Sequence, residues 1–309
     1  MKIFTVCLNP AIDIFYRIPG FRPYRENTVA SAAVYTGGKG VNVSRALLKN
    51  GCESTAFLLL GKENAPDYEK ALHADGLFPH VFYTSGRIRE NLTIQTDGAP
   101  ETRIDRGGFS ASPADLKTVL DAVRKEADGD TLLVCCGKFP AGLSREEAVS
   151  FVKELKRIAP RVVLDSASLD ASDVAEILPW MIKPNEDEMA ALVGHRAESR
   201  EEWMKEAEAL HRKGIAHILL SLGGKGALYC GEWGRCYAEV PKITPLSTVG
   251  AGDSTVAGFL AAFRERLGMG ECLRRACAFG TAACLEPGTR PPRPETVAEI
   301  LGEIKIKRG

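Results

Sequence analysis

Short apolar runs alternate with amphipathic segments along most of this chain. The alternation is regular after Pro113, where an amphipathic stretch at 113–126 precedes an apolar run at 131–136, and 144–157 precedes 161–165. Apolar positions spaced three and four apart predict helices, whereas short continuous apolar runs predict buried strands. Buried strands that alternate with helices are typical of a parallel sheet with helices on both faces. We therefore predict an α/β fold, a three-layer α/β/α sandwich around a mostly parallel sheet.

The same criteria predict the remaining elements. Strands are expected at 2–8, 54–60, 180–183 and 216–221, with a hairpin-like segment at 226–239; helices are expected from the glycines near 37 to about 50, and at 65–75, 172–178, 186–193, 200–213, 270–285 and 294–305. A further helix should begin soon after Gly250, because Val256, Phe259 and Phe263 have helical spacing.

Two β-rich segments, at about 14–36 and 80–106, interrupt this alternation. We expect them to form one small sheet that acts as a lid beside the main sheet, within a single domain spanning 1–309. A small exposed sheet has to cover its apolar face. Pairing with the lid of a second subunit, as a homodimer, is therefore expected.

Composition excludes some classes of partner. The formal net charge of the 309 residues is +0, which gives no electrostatic case for nucleic acid or an anionic membrane. The sequence has no apolar run of membrane-spanning length, and residues 1–6 lead straight into a predicted strand rather than a signal peptide. The nine cysteines show no paired metal-ligand spacing, so we interpret them as reduced thiols in a cytoplasmic protein.

The stretch from Ser247 to Phe259 carries the strongest candidate chemistry. Gly250, Ala251 and Gly252 lie where a loop enters a helix. Unpaired amides and the helix dipole favour an anion there, such as a phosphate or the charge of a transition state. Asp253 would repel a phosphate unless it has a task, and accepting the proton of an attacking hydroxyl is one such task. The alternative is that Asp253 simply caps the helix.

Two further clusters offer groups that could bind a substrate. Gly37-Gly38-Lys39-Gly40 with Asn42 opens a predicted helix and is not a Walker A sequence; the alternative is a glycine turn with a solvated lysine. Arg87, Arg89 and Asn91 are spaced two apart in a predicted strand and should share a face, where arginine suits a phosphate. The alternative is that these arginines bind no ligand, because exposed arginines are common on protein surfaces.

Two clusters suit the nucleotide side. In the segment 183–188, Asn185 and Glu188 are three apart on one helical face and could offer oxygens to Mg²⁺, although acidic residues at a helix start are also normal capping. The turn at 221–226 is rich in glycine and could admit phosphates or ribose. It could equally be a plain hairpin connection.

In order and type, these clusters resemble the PfkB (ribokinase-like) family of carbohydrate kinases along essentially the whole chain. Within it they resemble the phosphosugar kinases, the subgroup that includes 1-phosphofructokinase and tagatose-6-phosphate kinase. The matching stretches are 8–13, 37–42, 89–91, 183–188, 221–226, 247–258 and 288–289. The resemblance implies a ribokinase-like fold with a β lid, and ATP-dependent transfer to a sugar with Mg²⁺.

The resemblance also implies a role for each matching residue. Asp253 matches the catalytic base, and Gly250, Ala251 and Gly252 match the anion hole; Asp13, Gly38, Lys39 and Asn42 match positions that hold the sugar; Arg89 and Asn91 match contacts to the phosphate already on the sugar; Lys183, Asn185, Ser221, Leu222, Gly223, Gly224 and Gly226 match the nucleotide side; Asn185 with Glu188 match the Mg²⁺ side.

Three segments depart from the subgroup. Cys136-Gly137-Lys138-Phe139-Pro140 replaces Ser-Gly-Ser-Leu-Pro, so Lys138 stands where relatives place a small hydroxyl facing the substrate; the segments 104–108 and 165–168 also differ. All three bear on which sugar is held. We expect fructose 1-phosphate first and tagatose 6-phosphate second, and an unphosphorylated sugar or nucleoside third. A sugar-phosphate-binding regulator without activity is disfavoured by the intact Gly-Ala-Gly-Asp stretch.

Overall fold

Fourteen strands and ten α-helices occupy residues 1–308, the part of the chain that the computed structural model describes. The strands are Lys2–Cys7 (β1), Ala11–Arg17 (β2), Ser31–Gly37 (β3), Thr55–Gly61 (β4), His80–Thr84 (β5), Arg89–Gln95 (β6), Thr102–Arg106 (β7), Thr131–Cys136 (β8), Arg161–Asp165 (β9), Met181–Ile182 (β10), His217–Ser221 (β11), Ala227–Gly231 (β12), Gly234–Glu239 (β13) and Lys305–Arg308 (β14). The helices are Lys39–Lys49 (α1), Ala65–Ala74 (α2), Pro113–Glu126 (α3), Arg145–Ile158 (α4), Ala171–Ile177 (α5), Glu186–Val193 (α6), Arg200–Arg212 (α7), Ala251–Arg264 (α8), Met269–Ala283 (α9) and Pro294–Glu303 (α10).

The main sheet has ten strands in the order β14-β13-β12-β11-β10-β9-β8-β1-β4-β5. Strands β5 to β11 in this order are parallel to their neighbours, and β12, β13 and β14 add antiparallel pairs at one side. The carboxyl ends of the parallel strands therefore share one edge, where open α/β sheets bind their ligands. Strand β14 was not expected from the sequence, because four residues with three basic side chains carry almost no apolar signal.

Helices cover both faces of this sheet. In β8, Leu132 and Val134 point to a core shared with α1, α8, α9 and α10, whereas Leu133 and Cys135 point to a core shared with α3 to α7. A strand that is buried on both faces reads as a continuous apolar run, which is why β8 was predictable at its observed bounds. The predicted three-layer α/β/α architecture is confirmed. No helix within the described residues is both long enough and apolar enough to cross a membrane.

The lid is a separate four-stranded sheet in the order β3-β2-β6-β7. One boundary of its predicted segments was wrong: residues 80–84 form β5, which pairs in parallel with β4 at the edge of the main sheet. An edge strand buries only part of its surface, so the half-buried pattern of His80–Thr84 imitates a lid strand. The second lid segment starts at Arg89, and the first starts at Ala11 rather than 14.

Helix α8 packs closely against α9 through two glycines. A Cβ at Gly258 would collide with the backbone carbonyl of Arg275 in α9, and a Cβ at Gly280 in α9 would collide with Oγ1 of Thr255 in α8. Thr255 in turn donates a 2.9 Å hydrogen bond to the carbonyl of Ala251 in the first turn of α8. These contacts fix the start of α8, which carries the candidate chemistry.

All nine cysteines are free thiols, and eight of them are buried. Burial raises the pKa of the Cys135 thiol to about 12, and the same cause raises the pKa of Cys277 to about 12. Thiols with such pKa values are poor nucleophiles at neutral pH, because the thiolate is the reactive form. The cysteines therefore act as small apolar residues of the core.

Candidate active site

The first turn of α8 presents its amides at the carboxyl edge of the sheet. Gly250 precedes the helix with φ of 79°, a left-handed conformation that suits glycine. No side chain caps this helix start, and Asp253 lies inside the first turn. The alternative of Asp253 as the N-cap residue is therefore wrong. The amides of the first turn are left available for an anion.

Asp253 is buried, with 5% of its surface exposed, and accepts a 2.8 Å hydrogen bond from Nδ2 of Asn42 in α1. Burial raises the pKa of the Asp253 carboxyl to about 6, and the nearby carboxylate of Asp165 adds to the rise. Lys39, Asn42 and Lys183 oppose it. A carboxylate with a pKa near 6 is ionised at neutral pH and is basic enough to share a hydroxyl proton in a transition state.

Asp165 joins two lysines beside this carboxylate. Nζ of Lys39 lies 2.9 Å from Oδ1 of Asp165, and Nζ of the buried Lys183 lies 3.8 Å from Oδ2. Burial alone would lower the pKa of Lys39, but the Asp165 and Asp253 carboxylates outweigh it and raise that pKa. Lys39 is therefore held inside the site rather than solvated. Nζ of Lys183 lies 3.1 Å from where a Cβ would stand on Gly252, so Lys183 borders the anion pocket.

Sequence reasoning noted the segment 165–168 as a departure that bears on the sugar, and gave Asp165 no role of its own in the site. It ends β9 at the carboxyl edge, a position that favours ligand-binding residues in such sheets. That signal was present, but nothing local to Asp165 indicates that its partner is Lys39, 126 residues away. Oδ2 of Asp165 is buried and makes no hydrogen bond within residues 1–308.

A second polar group lies on the lid. Asp13 in β2 and Asn91 in β6 are directly opposite in register, and Nδ2 of Asn91 donates a 2.7 Å hydrogen bond to Oδ1 of Asp13. Arg89 donates from Nε to the carbonyl of Asn9 at 3.3 Å, and its Nη1 lies 3.5 Å from Oδ1 of Asn91. Burial raises the pKa of Asp13, against the hydrogen bond from Asn91 and the charge of Arg89. The lid thus presents a carboxylate, an amide and a guanidinium on one face.

Arg87 does not join this face, so its predicted grouping with Arg89 and Asn91 was wrong. It precedes β6, and its guanidinium contacts Glu90 at 3.1 Å and Glu63 at 3.6 Å. Glu90 lies one position from Arg89 in the strand and therefore on the opposite face.

Lys138 follows β8 at the same edge of the sheet. Its side chain is exposed, and it forms no salt bridge with any residue between 1 and 308. The neighbouring carbonyl of Phe139 accepts a 3.3 Å hydrogen bond from Nδ2 of Asn9, the residue whose own carbonyl binds Arg89. Asn9 thus links the loop that carries Lys138 to the arginine of the lid.

Asn185 and Glu188 form a capping box at the start of α6. Oδ1 of Asn185 accepts from the Glu188 amide at 2.8 Å, and Oε2 of Glu188 accepts from the Asn185 amide at 2.9 Å. The capping alternative therefore accounts for one oxygen of each side chain. Oε1 of Glu188 remains, 4.0 Å from Nζ of Lys39.

Mg²⁺ in kinases is held by one or two carboxylates, with substrate phosphates and water as the other ligands. Glu188 and Oδ2 of Asp165, which accepts no hydrogen bond within residues 1–308, fit that modest requirement, whereas Oδ1 of Asn185 is already used. Across residues 1–308, no group of three or more His, Cys, Asp or Glu side chains is arranged to hold a metal by itself.

The turn at 221–226 connects β11 to the antiparallel β12, so the hairpin alternative describes its connectivity correctly. Ser221 donates from Oγ to the carbonyl of Pro184 at 3.2 Å, which places the turn beside the start of α6. Gly226, with φ of 111°, has no room for a side chain against the backbone of Ala238. Gly223 and Gly224 instead border open space, with no atom within 4 Å of an added Cβ.

The structure thus brings Asn42, Asp253, Lys39 and Lys183 into one cluster around Asp165. Asp13, Arg89 and Asn91 form a second cluster on the lid. Gly38, with φ of 121°, caps α1 and has no room for a Cβ beside Pro10 and Cys7, which explains a glycine there.

Comparisons with known proteins identify the family of the chain. A family model described as pfkB family carbohydrate kinase matches residues 7–296. A protein from Haemophilus influenzae named 1-phosphofructokinase is 33% identical over 307 residues, covering 99% of this chain and 98% of the relative. A Bacillus subtilis protein of the same name is 31% identical over 308 residues, covering 99% of each.

Among solved structures, phosphofructokinase-2 from Escherichia coli, crystallised with substrates and products, matches with a TM-score of 0.90. It is 24% identical, and the match covers 98% of this chain and 99% of that chain. At this identity the likeness shows the fold, and that fold is the one predicted. The match over residues 7–296 shows more: the chain belongs to the pfkB family of carbohydrate kinases.

Proposed function

We propose that this kinase transfers the γ-phosphoryl group of ATP to fructose 1-phosphate and forms fructose 1,6-bisphosphate. Family membership supports the sugar kinase activity, and the relatives named 1-phosphofructokinase support the substrate. The observation that carries the substrate class is the guanidinium of Arg89 on the lid face that also holds Asp13 and Asn91. A neutral sugar gives this arginine no anion to bind, whereas a phosphosugar does.

The lid and the sheet edge divide the recognition of the substrate. Asp13 can accept hydrogen bonds from sugar hydroxyls, while Arg89 forks onto the phosphate. Lys138 precedes Phe139, whose carbonyl binds Asn9, and would supply a second positive charge for the same phosphate.

In the proposed reaction, Asp253 accepts the proton of the attacking sugar hydroxyl. Asn42 orients the carboxylate through its 2.8 Å hydrogen bond. The amides of the first turn of α8 and Nζ of Lys183 face the charge that develops on the transferring group, where preorganised donors have their largest effect.

The nucleotide lies along the open space above Gly223 and Gly224, between the turn and the start of α6. A bound Mg²⁺ would be held by phosphate oxygens, water and the free Oε1 of Glu188, and would neutralise phosphate charge. Closure of the lid excludes water and so prevents simple hydrolysis of ATP.

The test is an assay coupled to ADP release, with Mg·ATP and five acceptors: fructose 1-phosphate, tagatose 6-phosphate, fructose 6-phosphate, fructose and ribose. We expect fructose 1-phosphate to have the highest kcat/KM. A higher kcat/KM for tagatose 6-phosphate would keep the phosphate site and change the named substrate. A neutral sugar with the highest value would overturn the role of Arg89. If none of the five acceptors caused ADP release from ATP, the proposed phosphosugar kinase reaction would be overturned.

We also propose that two copies associate through their lids. Register places Val34, Ile14, Leu92 and Ile104 in one row across the four strands, on the face opposite Asp13. Val34 is 62% exposed and Ile104 is 52% exposed in the single chain. A second lid would cover this row by packing the same face against itself.

Sedimentation analysis of wild type and Ile104→Glu tests the association. We expect a dimer for wild type and a monomer for the variant, with Lys305→Glu as an exposed control outside the lid. A monomeric wild type at micromolar concentration would reject the proposal.

A further inference from the structure

A large cavity lies far from the proposed reaction, at the edge of the sheet where the parallel strands begin. Its volume is about 1150 Å³, and Met1, Asp130 and Arg161 line it at the amino ends of β1, β8 and β9. The loop between α8 and α9 and the start of β13 form its other walls. Strands of five or six residues separate this edge from the carboxyl edge, a distance of roughly 17–20 Å.

The cavity is strongly basic. Five arginines line it against two carboxylates, Asp130 and Glu271. Both carboxylates already have arginine partners: Asp130 pairs with Arg161 at 2.9 Å, and Glu271 lies 3.8 Å from both Arg274 and Arg275. The excess positive charge is therefore not neutralised by the cavity's own acids.

Three of the five arginines have no acidic partner within residues 1–308, and two of these three also make no side-chain hydrogen bond there. Arg235 pairs with Glu208, and Arg264 donates to the carbonyl of Glu53 at 3.2 Å. Arg266 and Arg308 form no salt bridge or side-chain hydrogen bond with any residue of the described chain. They leave two guanidinium groups in one cavity, which is the arrangement that binds phosphate groups.

An aromatic side chain completes the cavity. Trp233 is 37% exposed, and its ring is stacked on Phe263 with centroids 5.5 Å apart and planes at 21°. Both rings line the cavity. An indole that is supported by a core aromatic and remains partly exposed offers a platform for a planar ring.

Arg266 also has an uncommon backbone. Its φ is 60°, in the left-handed region, at the position after α8 where glycine is the usual residue. A side chain there costs backbone strain that glycine would avoid. Strain of this kind often persists where a side chain has a function. The arginine in this conformation is one of the two cavity guanidinium groups that form no salt bridge or side-chain hydrogen bond within residues 1–308.

We propose that this cavity is a second binding site for a nucleoside diphosphate or triphosphate. The base stacks on Trp233, and the phosphates bind Arg266 and Arg308. The site is separate from the proposed nucleotide site at Gly223 and Gly224, since the two lie at opposite edges of the sheet. Both sites can therefore be filled in the same molecule.

Equilibrium dialysis with ADP tests the proposal. We expect wild type to bind two ADP per chain, and the double variant Arg266→Ala, Arg308→Ala to bind one while retaining kinase activity at low nucleotide concentration. The matched control is Lys305→Ala, an exposed cation of β14 outside the cavity, which should still bind two. One ADP per wild-type chain, or two per chain of the double variant, would overturn the proposal.

Two further experiments test the remaining alternatives. The first distinguishes a nucleotide from a simple polyanion, and the second distinguishes a ligand-binding Arg266 from a purely structural one. Trp233→Ala should weaken the second ADP site roughly tenfold and leave inorganic tripolyphosphate unaffected. If tripolyphosphate binds the second site of wild type as tightly as ATP, which carries the same number of phosphates, the base contributes nothing and the nucleotide assignment is wrong. Arg266→Gly relieves the strain, so it should raise the melting temperature of the free protein by roughly 2 °C and still lose the second site. Retention of two ADP by Arg266→Gly would overturn the role of this side chain.

Discussion

The two carboxylates proposed to contact the sugar, Asp253 and Asp13, lie in contrasting settings. Asp253 is buried in the body of the protein, in a helix fixed by α9 and oriented by Asn42 of α1. Asp13 lies on a lid strand whose residues are mostly half-buried, and its partner Asn91 belongs to the neighbouring lid strand. Burial raises the pKa of both carboxyls.

The contrast separates chemistry from recognition. A group that takes part in proton transfer needs fixed geometry and a tuned pKa, and packed helices provide both. A group that recognises a sugar has to let that sugar enter and leave, which suits a small sheet beside the body. We therefore expect changes around Asp253 to affect kcat and changes on the lid to affect the KM for the sugar.

The largest expected effect is on the Asp253 side. Asp253→Asn keeps the shape of the side chain and removes the base, so kcat should fall by about 10²–10⁴ with little change in either KM. Steady-state kinetics of the purified variant provides the measurement. Asp121→Asn, an exposed carboxylate on α3, is the matched control and should keep wild-type rates. Near-normal turnover of Asp253→Asn would remove the proposed base.

The next effect is on the lid side. Arg89→Ala should raise the KM for the phosphosugar by about 10–100-fold, because a charge-assisted hydrogen bond contributes about 1.5–3 kcal/mol to binding. The KM for ATP should remain unchanged. Arg87→Ala is the matched control, because its guanidinium contacts Glu90 on the opposite face. A change in the KM for ATP instead would contradict the assignment of Arg89 to recognition of the sugar phosphate.

A smaller effect is expected from pH. Asp253 has to be ionised to accept a proton, so kcat should fall about tenfold for each pH unit below its pKa of about 6 and level off above it. The profile should be taken as kcat at saturating sugar, because the sugar phosphate itself titrates near pH 6 and would affect KM. A kcat that is flat from pH 5 to 8 would contradict the pKa of this carboxyl.

The smallest expected effect is on stability. The pKa of Asp253 rises from 3.8 to about 6 on folding, so the native state binds more protons and the stability contributed by this group falls as pH rises from about 4 to 6. The rise from 3.8 to about 6 sets an upper bound of about 3 kcal/mol on this contribution. Asp253→Asn avoids the cost of burying a charge but also loses the attraction to Lys39, which reduces the gain. We therefore expect the free energy of unfolding of the variant to exceed that of wild type by about 1–2 kcal/mol at pH 8.

Urea unfolding of both proteins at pH 5 and pH 8 measures this difference. The advantage of the variant should shrink at pH 5, where much of the wild-type Asp253 is protonated and uncharged. A variant that is less stable than wild type at pH 8 would show that the attraction to Lys39 outweighs the cost of burying the charge.

Sequence patterns predicted the body of the protein better than its periphery. Strand β8 was predictable because both of its faces are buried, and α8 because its apolar residues keep helical spacing. The edge strand His80–Thr84 and the basic β14 were not, since half-buried or charged strands resemble lid or loop segments.

The candidate site shows the same limit. Glycine-rich helix starts around Gly38 and Gly250 carry a local signal, and the structure places both at the site. The pairing of Lys39 with Asp165 depends on the juxtaposition of α1 and β9, which no local pattern records. The capping box of Asn185 and Glu188 was one of two interpretations of the same spacing, and only the structure shows that each side chain uses an oxygen for it.

The glycine contacts between α8 and α9 have a consequence for genetics. Gly280 is buried behind α8 and would touch no ligand, yet any side chain there would push Thr255 and the first turn of α8 away from their positions. A screen of random mutations for loss of growth on the sugar should therefore recover alleles at Gly280 as well as at Asp253. Such alleles would yield folded protein with impaired catalysis, and second-site suppressors should map to Thr255, where loss of the hydroxyl restores space.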